Sequence, residues 1–168
     1  LSLSHGFHEH AARVYTNLAE YAVEFRDFAL AERVLSDGID FDTQFDLDTW
    51  THYLVGRQAQ LRLDQGRLRD AETIAEGVLN NDKLTLLIKL PALTVLAKTK
   101  MRLGADDADQ MLAHAFDNAM ATDEFQYIVP MRIAHIEAAW LKNDRSRAQE
   151  HFERLFSLGP NAMHSGRA

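Results

Sequence analysis

Two stretches of this chain carry the same pattern of small and large residues at an offset of forty, and no other feature restricts the fold as much. The clearer copy runs from Leu47 to Leu79, LDTWTHYLVGRQAQLRLDQGRLRDAETIAEGVL. Trp50, Tyr53, Leu54, Ala59, Leu61 and Leu63 fall mainly at spacings of three and four, with Arg57, Gln60, Arg62 and Asp64 at other positions. That is the period of a helix buried on one side. Gly66 closes it, because glycine takes the left-handed conformation after a helix end without steric cost. Leu68, Ala71, Ile74, Ala75, Val78 and Leu79 then form a second stripe, in which the small Ala71 lets two helix backbones approach. The pair is predicted to be a helical hairpin. In the other copy Ala11, Val14, Tyr15, Leu18, Ala19, Ala22 and Phe25 trace one apolar face. Phe28, Ala31, Val34, Leu35, Gly38 and Ile39 trace the next. Ala19 then matches Ala59, Arg26 matches Gly66, Phe28 matches Leu68, Ala31 matches Ala71 and Ile39 matches Leu79, which argues for an internal repeat.

The remainder continues the theme. Asn80-Asn81 stops the second hairpin, and Lys83 to Leu90 resumes an apolar pattern before the run PALTVLAKTKMRLG, which ends at Gly104. Its partner is Ala108 to Ala121, with Met111, Leu112, Ala115, Phe116, Ala119 and Met120 inward. Glu124 to Asn143 follows, and a last helix from about Arg145 to Leu158 carries Ala148, Phe152, Leu155 and Phe156. Pro91 and Pro130 occupy equivalent places, as do Gly104 and Asn143. A proline is tolerated in a first helical turn, so both prolines fit helix starts, while Pro130 equally fits a kink in a helix begun near Glu124. The expectation is an all-α chain, one domain over 1–168, with hairpins at about 5–42, 47–81, 84–122 and 125–158 and a tail over 159–168. Because it opens on Leu1 rather than methionine, it is expected to be a fragment of a longer chain.

Composition narrows the function. A net charge of −7 and a pI near 5.6 oppose direct contact with nucleic acid or anionic membranes. The absence of cysteine excludes disulfides and thiolate metal sites, and no apolar run has the length of a membrane span, so a cytoplasmic protein is expected. The acidic stretch with Asp40, Asp42, Asp46 and Asp48 lacks the glycine and glutamate of a calcium loop. It reads as a solvated connection in which Asp48 caps the next helix. His5, His8 and His10 are the only metal candidates, and they fit helix-start residues as well as zinc ligands. His114, His135 and His151 read as packing or surface residues, and Trp50 and Tyr53 as core. No nucleophile motif is present, so neither an enzyme nor a cofactor is expected.

The small-residue pattern, with alanine in the first helix, glycine at the turn and alanine early in the second, resembles the tetratricopeptide repeat. It is clearest at Ala59, Gly66, Ala71 and Val78 and recognisable at Leu18, Ala19, Ala31 and Gly38, with Gly104 and Ala148 as later positions. The phrases HEHAARVYTNLAEYAVEFRDFALAERVLSDGIDFDTQFDLDTWTHYLVGRQAQLRLDQGRLRDAE, KLPALTVLAKTKMRLG and IEAAWL look like the helical-repeat region of large LuxR-type bacterial transcriptional regulators and related signalling ATPases. The resemblance implies a right-handed tetratricopeptide-like solenoid, non-catalytic, that couples signals or binds a protein, a peptide or flanking domains of its own chain, with homodimers through the repeat faces. The chain carries neither a GxxxxGK[ST] motif nor a basic helix-turn-helix, so ATP and DNA chemistry would lie elsewhere. By analogy with the tetratricopeptide groove, Arg13, Thr16, Glu20, Glu24, Tyr53, Gln60, Asp64, Thr94, Lys98, Arg102 and Glu137 would face a partner; they equally fit a solvated face. The rival expectation is a self-contained ligand- or metal-binding helical domain using the histidines near its start.

Overall fold

The computed structural model describes residues 2–157, with side chains from residue 6 onward. Among the described residues there are eight α-helices and no strand: α1 (Ser2–Glu24), α2 (Phe28–Gln44), α3 (Asp48–Asp64), α4 (Leu68–Leu79), α5 (Leu86–Leu103), α6 (Ala108–Met120), α7 (Phe125–Leu141) and α8 (Arg145–Ser157). Leu1, the expected helix end at Leu158 and the expected tail at 159–168 lie outside the described residues, as do the side chains of Ser4 and His5. No helix among the described residues is long and apolar enough to cross a membrane.

Six of the eight helices end by a common local device. Arg26, Asp46, Gly66, Gly104, Asp123 and Asn143 all have φ between 54° and 76°, the left-handed region, and each follows a helix. At five of them the next N–H reaches back to a carbonyl of the last turn: Asp27 to Ala22 (2.9 Å), Leu47 to Asp42 (2.8 Å), Arg67 to Arg62 (2.8 Å), Ala105 to Lys100 (3.0 Å) and Asp144 to Ala139 (2.8 Å). This closure satisfies carbonyls that the helix leaves unpaired. Arg26 thus does what Gly66 does, and Asn143 what Gly104 does, in keeping with the repeat register. Pro91 and Pro130 are also equivalent, each the sixth residue of its helix, but neither is in a first turn. Each helix continues through its proline without the N–H that would bond four residues back.

Packing groups the chain into two compact units, Leu1–Thr99 and Lys100–Ala168, the division falling within α5. The sequence pattern suggests one array; hairpins touch only near neighbours, so such an array can separate into groups. In the first unit α1 packs on α2, α2 on α3, α3 on α4, and α1 also lies beside α3. Its core gathers Ala19, Ala22, Val23, Ala31, Val34, Leu35, Leu54 and Leu61, with Tyr15, Phe28, Leu30 and Ile39 against it. Ala19, Ala31, Ala59 and Ala71 are all completely buried, which is why no larger residue stands there. Gly38 marks the closest approach: a methyl group on it would lie 3.0 Å from Tyr15 Cβ and 2.8 Å from Leu54 Cδ1. In the second unit α7 packs on both α6 and α8. Ala148 is only half buried, unlike the other repeat alanines, because α8 has no fully buried residue.

Three faces differ from the expected ones. On α1 the buried positions are Ala12, Thr16, Ala19, Ala22 and Val23, while Val14, Leu18 and Phe25 are exposed with Phe7 and Tyr21. The helix carries a second apolar stripe, Val14, Leu18, Tyr21 and Phe25, beside the buried one, so periodicity could not choose its inner side. On α6 Met120 is exposed, and Leu112, Ala115 and Ala119 are buried. The acidic stretch is not a loop: Asp40 and Asp42 belong to the last turns of α2, and Asp42 is fully buried. Leu47 rather than Asp48 holds the N-cap position of α3 and makes no side-chain cap bond, leaving Asp48 in the first turn.

Candidate functional site

In the first unit the neighbouring helices α1 and α3 are tied together by charge. Arg57 on α3 pairs with Glu20 on α1 and donates to the Tyr53 hydroxyl at 3.0 Å, with the guanidinium also over the Tyr53 ring. Farther along α3, Gln60 donates to Asp64 at 3.0 Å. Arg13 and Glu24 are exposed on α1, and Gln60, Asp64 and Tyr53 are half buried on α3. Six expected lining residues, with Glu20 among them, are therefore gathered on two adjacent helices. Thr16 is different: it is buried, its hydroxyl donating to the Ala12 carbonyl at 3.0 Å, the bond a helical threonine makes inside its own helix. Thr94 on α5 is buried too, so neither threonine offers a contact surface.

Between α3 and α2, Arg62 makes a two-pronged contact with Glu32, and Gln65 donates to the same carboxylate at 3.0 Å. The Arg62 hydrogen bond holds the Glu32 carboxyl below its ordinary range. Lys98 is half buried on α5. In the second unit, Arg102 grips Glu137 through Nε at 2.7 Å and Nη2 at 3.1 Å. Of the charged residues expected to face a partner, Glu20 and Arg102 are thus each matched within their own unit.

The histidines separate by environment. His8 stacks on Phe45, ring centres 3.8 Å apart, and His10 is exposed. No group of three or more histidines, aspartates or glutamates converges as metal ligands would among the described residues. His114 is exposed beside Asn118, which donates to its carbonyl at 2.8 Å. His135 and His151 instead meet, stacked at 4.6 Å between α7 and α8, and the Phe116 ring stands edge-on to both.

Two buried charged groups have no counterpart in the expected site. Asp42 is completely enclosed with no hydrogen-bond partner on either oxygen among the described residues, and burial pushes its carboxyl up to about 6. Arg132 is 8% exposed, its guanidinium over the Phe116 ring at 5.4 Å. Each leaves a trace in the sequence. Asp42 continues the buried spacing of Ala31, Leu35 and Gly38, and Arg132 interrupts the apolar run YIVPMRIAHIEAAW with His135 one helical turn away.

Fold and site together give an architecture that is all-helical among the described residues, with polar residues on one pair of adjacent helices and a buried cationic group in the second unit. No family model, curated protein or solved structure matches it.

Proposed function

We propose that this chain is a tetratricopeptide-like helical-repeat scaffold that binds a protein or peptide, and that it serves as the regulatory repeat region of a LuxR-type bacterial transcriptional regulator or related signalling ATPase. The observation that carries the binding role is the side-by-side placement of α1 and α3, the first helices of two hairpins, with polar residues spread over both. Repeat scaffolds present such adjacent first helices to extended partners. The equivalence of Arg26 with Gly66, and of the fully buried pairs Ala19 with Ala59 and Ala31 with Ala71, supports the repeat reading. The regulator assignment rests on the resemblance of the scaffold phrases. In this reading the chain itself performs no catalysis, works in the cytoplasm and leaves nucleic acid to other domains.

Selection from a displayed peptide library against the full chain tests the binding role. The expected result is a family of peptides with a common pattern, whose affinity falls about tenfold or more with Gln60→Arg or Arg13→Glu on α3 and α1. The change Glu76→Arg on the exposed side of α4 leaves that affinity unaltered. Absence of any enriched pattern, or equal losses in all three variants, would overturn it.

A further inference from the structure

Arg132 is a buried cation with few polar partners among the described residues. Its Nε and Nη1 atoms are buried without a hydrogen-bond partner among the described residues, and Nη2 reaches only the Met120 thioether, at 3.9 Å. A guanidinium stays charged in proteins and presents five N–H donors, so burying it against sulfur and an aromatic face is costly. The neighbouring polar atoms are equally unsatisfied: His135 Nε2 and His151 Nδ1 are buried with no partner among the described residues. Arg147 and Arg154 on α8 add positive charge, their fields acting on His135 and on Arg132. The two acids nearby are already engaged, Glu150 with Arg154 at 2.8 Å and Asp109 with Lys142. Among the described residues, a cationic niche has therefore been built without a side-chain anion hydrogen-bonded to Arg132, in a sequence of net charge −7.

We propose that Arg132, with His135 and His151 beside it, is the receptor for a small oxyanion, a carboxylate or phosphate group, bound between α6, α7 and α8. Oxyanions are the acceptors that a guanidinium fork fits best, and a low-dielectric wall strengthens the attraction. The anion enters by parting α8 from α7. Helix α8 has no fully buried residue and leaves Phe152 and Phe156 exposed, which makes it the element to open locally. Binding would then hold α8 closed. This site lies wholly in the second unit and is independent of the peptide surface on α1 and α3.

The test uses the full chain with inorganic phosphate and, separately, succinate, each at constant ionic strength made up with sodium chloride. The side-chain Nε–H resonance of Arg132 is followed by NMR, and backbone amide exchange is followed across α8. The expected result is a saturable shift of that resonance and slowed exchange in α8 with at least one of the two anions. Response to phosphate alone identifies a phosphate ligand, to succinate alone a carboxylate, and to both a general oxyanion site. Arg132→Met should fold, since an apolar residue of similar length replaces an unmatched buried charge. It should bind about tenfold or more weakly. The His151→Phe variant, which keeps the guanidinium, should bind more weakly than the parent. An Arg132 resonance unmoved by either anion overturns the proposal, whatever the variants do. So does equal protection of the parent and Arg132→Met, which would mark a general salt effect.

Discussion

Gly38 offers a measurement of how closely the helices of the first unit approach. Replacing it by alanine acts in two opposed ways. In a helix interior the change is favourable by about 1 kcal/mol, because glycine loses more backbone freedom on folding. The added methyl, however, would stand 2.8 Å from Leu54 Cδ1, 3.0 Å from Tyr15 Cβ and 3.2 Å from Tyr15 Cγ. The Leu54 methyl can rotate aside, but Tyr15 Cβ is one bond from the α1 backbone, so α1 and α2 themselves must separate. Overpacking of this kind costs about 1–3 kcal/mol, and with the obstacle so near a backbone the upper half applies. The net expectation is a loss of about 1–2 kcal/mol for Gly38→Ala. Gly77 on α4 is the control, since a methyl there meets nothing within 4 Å; Gly77→Ala should gain about 1 kcal/mol. Urea unfolding read by Trp50 fluorescence, in a Trp140→Phe background so that only the first unit reports, gives both values. A Gly38→Ala protein as stabilised as Gly77→Ala would refute the close approach of α2 to α1 and α3.

Three further outcomes follow from the structure. Arg26, Asp46 and Asn143 hold φ of 57°, 54° and 57° without being glycine, so Arg26→Gly or Asn143→Gly should each stabilise by up to about 1 kcal/mol in urea titrations. A loss of stability would mean that the original side chain contributes more than the strain it causes. The two units should respond oppositely to mild acid. The Asp42 carboxyl, raised to about 6, gives its full contribution below its unfolded value and loses it as pH rises through 6; burial lowers the His135 imidazole to about 4, so its contribution is complete above the unfolded value and is lost as pH falls toward 4. Each effect is on the order of 3 kcal/mol at its limit, and unfolding midpoints from single-tryptophan forms, Trp50 for one unit and Trp140 for the other, should move in opposite directions between pH 7 and pH 5. Midpoints moving together would contradict the burial of one of the two groups. Finally, Ala71 is fully enclosed, so Ala71→Arg should abolish the cooperative unfolding transition of the first unit, and an unchanged melting curve would place Ala71 outside the helix contact.

The sequence alone determined the all-α class and the main helices, because these depend on local information: apolar spacing, glycine after helix ends, and alanine where backbones meet. Gly66 and Gly104 were legible as helix ends, and Arg26 and Asn143 became legible only through their register with those glycines. What tertiary structure decided was which side of each helix turned inward. On α1, Val14, Leu18 and Phe25 are as apolar as the residues actually buried, so the choice fell to how α2 and α3 pack against it. The same held for the site. The threonines at 16 and 94 share the spacing of surface residues yet are enclosed, and Asp42 and Arg132 lie inside because neighbouring helices close over positions that a hydrophobic scale assigns to water. Periodicity records which faces of a helix are equivalent, whereas burial of a charge is fixed only by what surrounds it in three dimensions.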